Sequence, residues 1–81
     1  MWKKNMNQEE AAQLIERFLN STSLYPQEWN DFVETRQENR LIESYRRQCE
    51  ELDPLVNRPG EPDQEAVARL RQLIQSLRSA T

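Results

Sequence analysis

The chain has 81 residues, 36% of them hydrophobic and 31% charged, with a formal net charge of −3; this limits it to one domain whose core lies near the lower bound of what folds without staples. With no histidine and a single cysteine, it lacks the commonest general base and metal ligand, any Cys-His nucleophile pair and any zinc pattern. A single glycine, against a usual share of ~7%, leaves few positions for tight hairpins, so the fold class expected is all-α.

Carboxylate neighbours such as Glu9 with Glu10 and Glu50 with Glu51 point to different faces of a helix. No catalytic residue, metal or cofactor is therefore expected, and the chain reads as a non-enzyme. The apolar residues are clustered by position, which argues for folding over disorder. Cys49 has no partner for an internal disulfide, no signal sequence opens the chain and no apolar run approaches the ~18 residues of a membrane span. The expectation is a cytoplasmic protein with no membrane contact. A pI near 5.0 makes nucleic acid an unlikely main partner.

Residues 1–6 show no periodicity and read as a flexible N-terminal arm, with Trp2 either folded back or exposed; residues 7–81 read as the helical domain. Asn7 can cap backbone donors while Glu10 reaches back, in the manner of a capping box. Ala11, Leu14, Ile15, Phe18 and Leu19 then follow at helical spacing, and 20–23 ends the helix. Pro26 suits the first turn of a short second helix. On it, Trp29, Phe32 and Val33 form an apolar face, and Glu28, Asp31 and Glu34 a wetter one. Two turns are too short to stand alone, so Trp29 and Phe32 are expected in the core, with an interface role the alternative for Trp29.

Thr35-Arg36-Gln37-Glu38 matches the capping-box pattern and predicts a third helix running to about Leu52. Leu41, Ile42, Tyr45, Cys49 and Leu52 would face inward, with Arg36, Arg40, Glu43, Arg47 and Glu50 outward. Asp53-Pro54 is expected to stop this helix, since proline disfavours helical geometry in the residue before it. An irregular connection of about ten residues, anchored by Leu55 and Val56, leads to Pro62 and Asp63 at the start of the last helix. There Ala66, Val67, Leu70, Leu73, Ile74 and Leu77 make the clearest stripe of all, and the helix frays near 79–81. Three longer amphipathic helices plus one short helix are satisfied by a compact bundle.

Two surfaces carry functional expectations. Glu28, Asp31 and Glu34, with Glu38 close by, could dock a basic partner protein, because carboxylates meeting arginine or lysine speed association and confer specificity; the competing reading is that they cap helices or pair within the fold. Arg36, Arg40, Arg46 and Arg47 could meet a nucleic acid, but the interleaved Glu43 and Glu50 repel phosphate and can pair with the arginines. A self-paired, solvated face is the favoured reading. Cys49, on the core stripe, reads as a small buried hydrophobe.

The order Phe18-Leu19, a short polar loop, Glu28-Trp29-Asn30-Asp31-Phe32, then Arg46 and Cys49 and a final Leu/Ile-rich helix resembles a group of short bacterial proteins with a Trp-Asp-Asp-Phe signature; Asn30 stands where the signature has its first aspartate. The resemblance implies a bacterial, compact helical protein and no particular activity. The expected function is a small protein-binding module, in its most concrete form an immunity or antitoxin-like inhibitor. The alternatives are a nucleic-acid-associated regulator and a self-associating structural protein whose spare apolar surface lies on the last helix; the chain itself is expected as a monomer or homodimer.

Overall fold

Four helices and no strand make up the described residues of the computed structural model, 5–20 and 27–79: α1 (Gln8–Leu19), α2 (Gln27–Glu34), α3 (Arg40–Val56) and α4 (Gln64–Ser79). The expectations placed on Trp2, Pro26, residues 21–23 and the last two residues lie outside that range.

Helix α1 begins as its sequence dictates. The Asn7 side chain accepts from the Glu10 amide at 2.8 Å, and the Glu10 carboxylate accepts from the Asn7 amide at 3.1 Å, so two donors left over at the helix start are satisfied reciprocally. Ala11, Ala12, Leu14 and Ile15 are buried, with Phe18 and Leu19 packed on the rim of the core. Helix α4 lies against α1 over the longest stretch of any pair, while α3 packs on both α2 and α4. Ala66, Leu70, Leu73, Ile74 and Leu77 fill the interior from α4. Asp63 caps that helix from just outside it, accepting from the Ala66 amide at 3.0 Å.

Short α2 is held by its neighbours. Trp29 and Phe32 are fully buried, and the Phe18 ring stacks on the Trp29 indole with centroids 4.1 Å apart and planes 11° from parallel. The indole Nε1 donates to Asp53 Oδ1 at 2.6 Å, and Asn57 Nδ2 donates to Asn30 Oδ1 at 2.8 Å. Both of these contacts tie α2 to the last turn of α3.

The boundaries of α3 differ from expectation at both ends. Thr35–Glu38 is not helical; the cap is Asn39, whose side chain accepts from the Leu41 and Ile42 amides at 2.8 and 3.2 Å. At the other end the helix passes through Pro54 to Val56. Proline costs a helix roughly 3 kcal/mol in its interior, and here the Asn57 N–H to Asp53 C=O bond, the Trp29 contact to Asp53 and the burial of Val56 offset it. The following connection is shorter for that reason, 57–63, and turns at Gly60, whose φ of +87° favours a residue without Cβ. Val56 anchors this end as expected, but Leu55 is exposed. Leu41 is exposed as well, where the spacing had placed it inward, and Tyr45 and Leu52 are half-buried. Met6 belongs to the packed body instead of to an arm: it is buried, and its amide donates to Gln37 Oε1 at 3.2 Å.

Candidate functional site

Between α2 and α3 the chain makes a non-helical turn over residues 35–39, pinned from below by a buried polar network. Gln37 lies at its centre, 4% exposed. Its amide donates to Glu43 Oε1 at 2.8 Å, and its side chain receives the Met6 amide. The Glu43 carboxylate in turn takes a two-pronged contact from Arg46, Nε to Oε1 and Nη2 to Oε2, both at 2.7 Å. Arg46 Nη1 donates to the Val33 carbonyl at the end of α2 and lies 3.4 Å from Glu50 Oε2. Arg47 adds a donor to Glu43 Oε2 at 3.3 Å.

This arrangement satisfies a charge pair that would otherwise be costly to bury, since the fork of the guanidinium matches the carboxylate and the remaining lone pairs find donors. Arg46 holds the Glu43 carboxyl down at about 2, helped by the Gln37 amide and by Arg47 and opposed by burial. Glu43 raises the Arg46 guanidinium by the same contact. Cys49, one turn further along, is fully buried, and burial pushes its thiol up to about 12; at neutral pH it carries no thiolate to react.

The arginine face does not hold together as a set. Arg46 is 8% exposed and spent inside the fold, and Glu43, which the charge alternation had put on the outer face, is 9% exposed beneath the turn. Arg36, Arg40 and Arg47 remain on the surface, lining with Ser44 an open depression of about 380 Å³. Of these Arg47 is already engaged with Glu43.

The acidic set also divides. Glu28 takes both prongs of Arg17 from α1, Nε to Oε2 at 3.0 Å and Nη2 to Oε1, and Asp31 accepts from Gln27 Nε2 at 2.8 Å. Glu34 and Glu38 are exposed, and with Arg36 and Arg40 they rim a second open concavity of about 720 Å³ over the pinned turn. The structure thus brings the outer members of both sets, Glu34 and Glu38 with Arg36 and Arg40, to one place. Gln37 and the burial of Glu43 were missed in the sequence. The one signal available was the Glu43-x-x-Arg46 spacing, which sets the two side chains as neighbours on a helix.

Among the described residues, no three His, Cys, Asp or Glu side chains gather in a way that could hold a metal ion, and no helix is long and apolar enough to cross a membrane. The chain matches no family model, no curated protein and no solved structure.

Proposed function

We propose that the protein is a non-enzymatic binding module whose partner is another protein, met at the 34–40 turn. One observation carries this reading: the non-helical segment 35–39 is fixed from inside by Gln37, Glu43 and Arg46, yet together with the helix ends beside it turns Glu34, Arg36, Glu38 and Arg40 toward solvent. Ordering a charged loop in advance of binding removes part of the entropy cost of association. Charges of both signs set around one concavity favour a partner with a complementary mixed pattern. A nucleic acid would meet the carboxylates of Glu34 and Glu38 at the rim, which opposes phosphate.

The small size, the acidity and the likeness to short bacterial proteins with a Trp-Asp-Asp-Phe signature favour a bacterial immunity or antitoxin-like role, in which the module inhibits a toxin by occupying it. The test is co-expression with a toxin encoded beside it, scored for growth protection and for a complex surviving gel filtration. Protection by the wild type, lost in a Glu34→Lys, Glu38→Lys double variant of unchanged melting temperature, supports the reading. A complex that forms equally well with that variant removes the turn from the interface.

A further inference from the structure

Among the described residues, the large apolar side chains left uncovered lie on α3 and not on the last helix. Leu41 and Leu55 are 43% and 39% exposed, the large hydrophobic side chains that stand out most from the described surface. They are not isolated. Leu41, Tyr45, Gln48, Leu52 and Leu55 follow one another at spacings of four, three, four and three residues, the repeat that keeps a seam on one side of a helix facing a partner helix. Tyr45, Gln48 and Leu52 are half-buried, Tyr45 and Leu52 packed against the core, and the three continue the strip between the two leucines. At ~1.5 Å per residue the seam runs about 21 Å.

We propose that this seam is the contact between two copies of the chain, paired antiparallel through α3 about a two-fold axis beside Gln48. The strip is symmetric about that residue, with Leu41 and Leu55 each seven positions away, so reversal of one copy sets Leu41 of each against Leu55 of the other. This is the self-complementarity an isologous interface requires. Charge favours the same orientation. Along the solvent flank of the seam α3 carries Arg40 and Arg47 in its first half and Glu51 in its second. The Arg47 side chain is 67% exposed although its Nε contacts Glu43. Antiparallel pairing sets Glu51 of one copy beside Ser44 of the other, with Arg40 and Arg47 of that copy to either side. Parallel pairing would instead turn this flank toward Ile42, Cys49 and Val56 of the other copy, which are buried in the core. Gln48 at the centre supplies a polar contact across the axis, a device that fixes register in paired helices.

A single pair of helices over four turns buries less than the ~1,200 Å² of standard specific interfaces. The association is accordingly weak and concentration-dependent. This surface meets the 34–40 turn only at Arg40, and its apolar contacts from Leu41 to Leu55 lie outside that turn, so a failure to dimerise leaves the proposed function untouched.

Sedimentation velocity on the full chain from 10 µM to 1 mM tests it. The expected result is a shift from the monomer mass of 9.7 kDa toward twice that value, abolished in a Leu41→Glu, Leu55→Glu variant with an unchanged circular dichroism spectrum. Glu51→Arg should weaken the dimer at least tenfold, and adding Arg40→Glu should restore it. A Gln48→Cys variant should cross-link to itself under mild oxidation without interference from buried Cys49, whereas Leu41→Cys should not. A monomer at every concentration overturns the proposal. So does a dimer indifferent to the leucine changes, cross-linking at Leu41→Cys but not at Gln48→Cys, or a seam that binds a host protein while the chain alone stays monomeric.

Discussion

Replacing Arg46 with methionine isolates the network under the turn. Arg46 and Glu43 have side chains only 10% and 12% exposed, and removing one partner of a buried pair typically costs 3–5 kcal/mol because the other charge is left uncompensated. Glu43 would keep the Gln37 amide and Arg47, and it lies close enough to solvent to recover some hydration, so the expected loss sits at the lower end, about 3 kcal/mol. Glu43→Gln should cost less, about 1–2 kcal/mol, since its amide oxygen can still accept from Gln37 and Arg46. Loss of the carboxylate also shows in the pH dependence. The Glu43 carboxyl falls from its ordinary 4.5 to about 2 in the fold. Because the folded value is the lower one, its contribution is complete above pH 4.5 and is lost as the pH falls toward 2. The full shift corresponds to about 3 kcal/mol, reduced to about 2 by solvent access. Urea unfolding followed by far-ultraviolet circular dichroism at pH 7, 4 and 2.5 measures both effects. Glu43→Gln should have the flatter stability profile below pH 4.5. An Arg46→Met protein within 0.5 kcal/mol of wild type, or a Glu43→Gln protein with the wild-type acid slope, would refute the account of the network.

Phe32→Ala empties a fully buried site and should cost about 3–5 kcal/mol, enough to unfold a domain this small; a thermal melt matching the parent would remove Phe32 from the core. Asp53→Ala leaves the Trp29 indole N–H without its acceptor and should cost about 1–3 kcal/mol, with a shift in tryptophan emission that Asp53→Asn largely avoids. Cys49 should resist a thiol reagent in the native state at pH 8 and react at once in urea, since it is buried with a thiol raised to about 12; fast native labelling would contradict that placement.

How much of this was legible in the sequence depended on the range of the interaction that decides each feature. The stripes of α1 and α4, the Asn7–Glu10 capping box and the inward aromatic face of α2 are set by residues three or four apart, and each stands as read. The start of α3 was misplaced because Thr35–Glu38 and Asn39 offer rival caps four residues from one another. The choice falls to Gln37, whose amide goes to Glu43 and whose side chain goes to Met6, 31 residues away. A local pattern cannot register a competitor that arrives from the N-terminus. Pro54 misled for a similar reason: the local rule is sound, but Trp29 and Asn30, reaching over from α2, hold the final turn of α3 in place.

The same distinction explains why the two candidate charge sets were each half right. On an isolated α3, Glu43 and Arg47 do alternate along a solvent face, and the pairing expected between them is present. What removes Glu43 from that face is the 35–39 turn folding over it, and once it is covered, Arg46 must turn inward to compensate the charge. The surface that survives is therefore the remainder after the fold has taken the charges it needs: Arg17 for Glu28, Arg46 for Glu43, and Arg78 for Glu9 and Glu16. Glu34, Glu38, Arg36 and Arg40 stay outward on a turn whose backbone is anchored beneath them. A neutralising change at any of the four should consequently alter association with a partner while leaving stability within about 0.5 kcal/mol of wild type, whereas a change at Gln37 or Glu43 should alter both together. If neutralising Glu34 or Arg40 destabilised the protein as strongly as Arg46→Met, the division between the anchoring layer and the presented layer would be wrong.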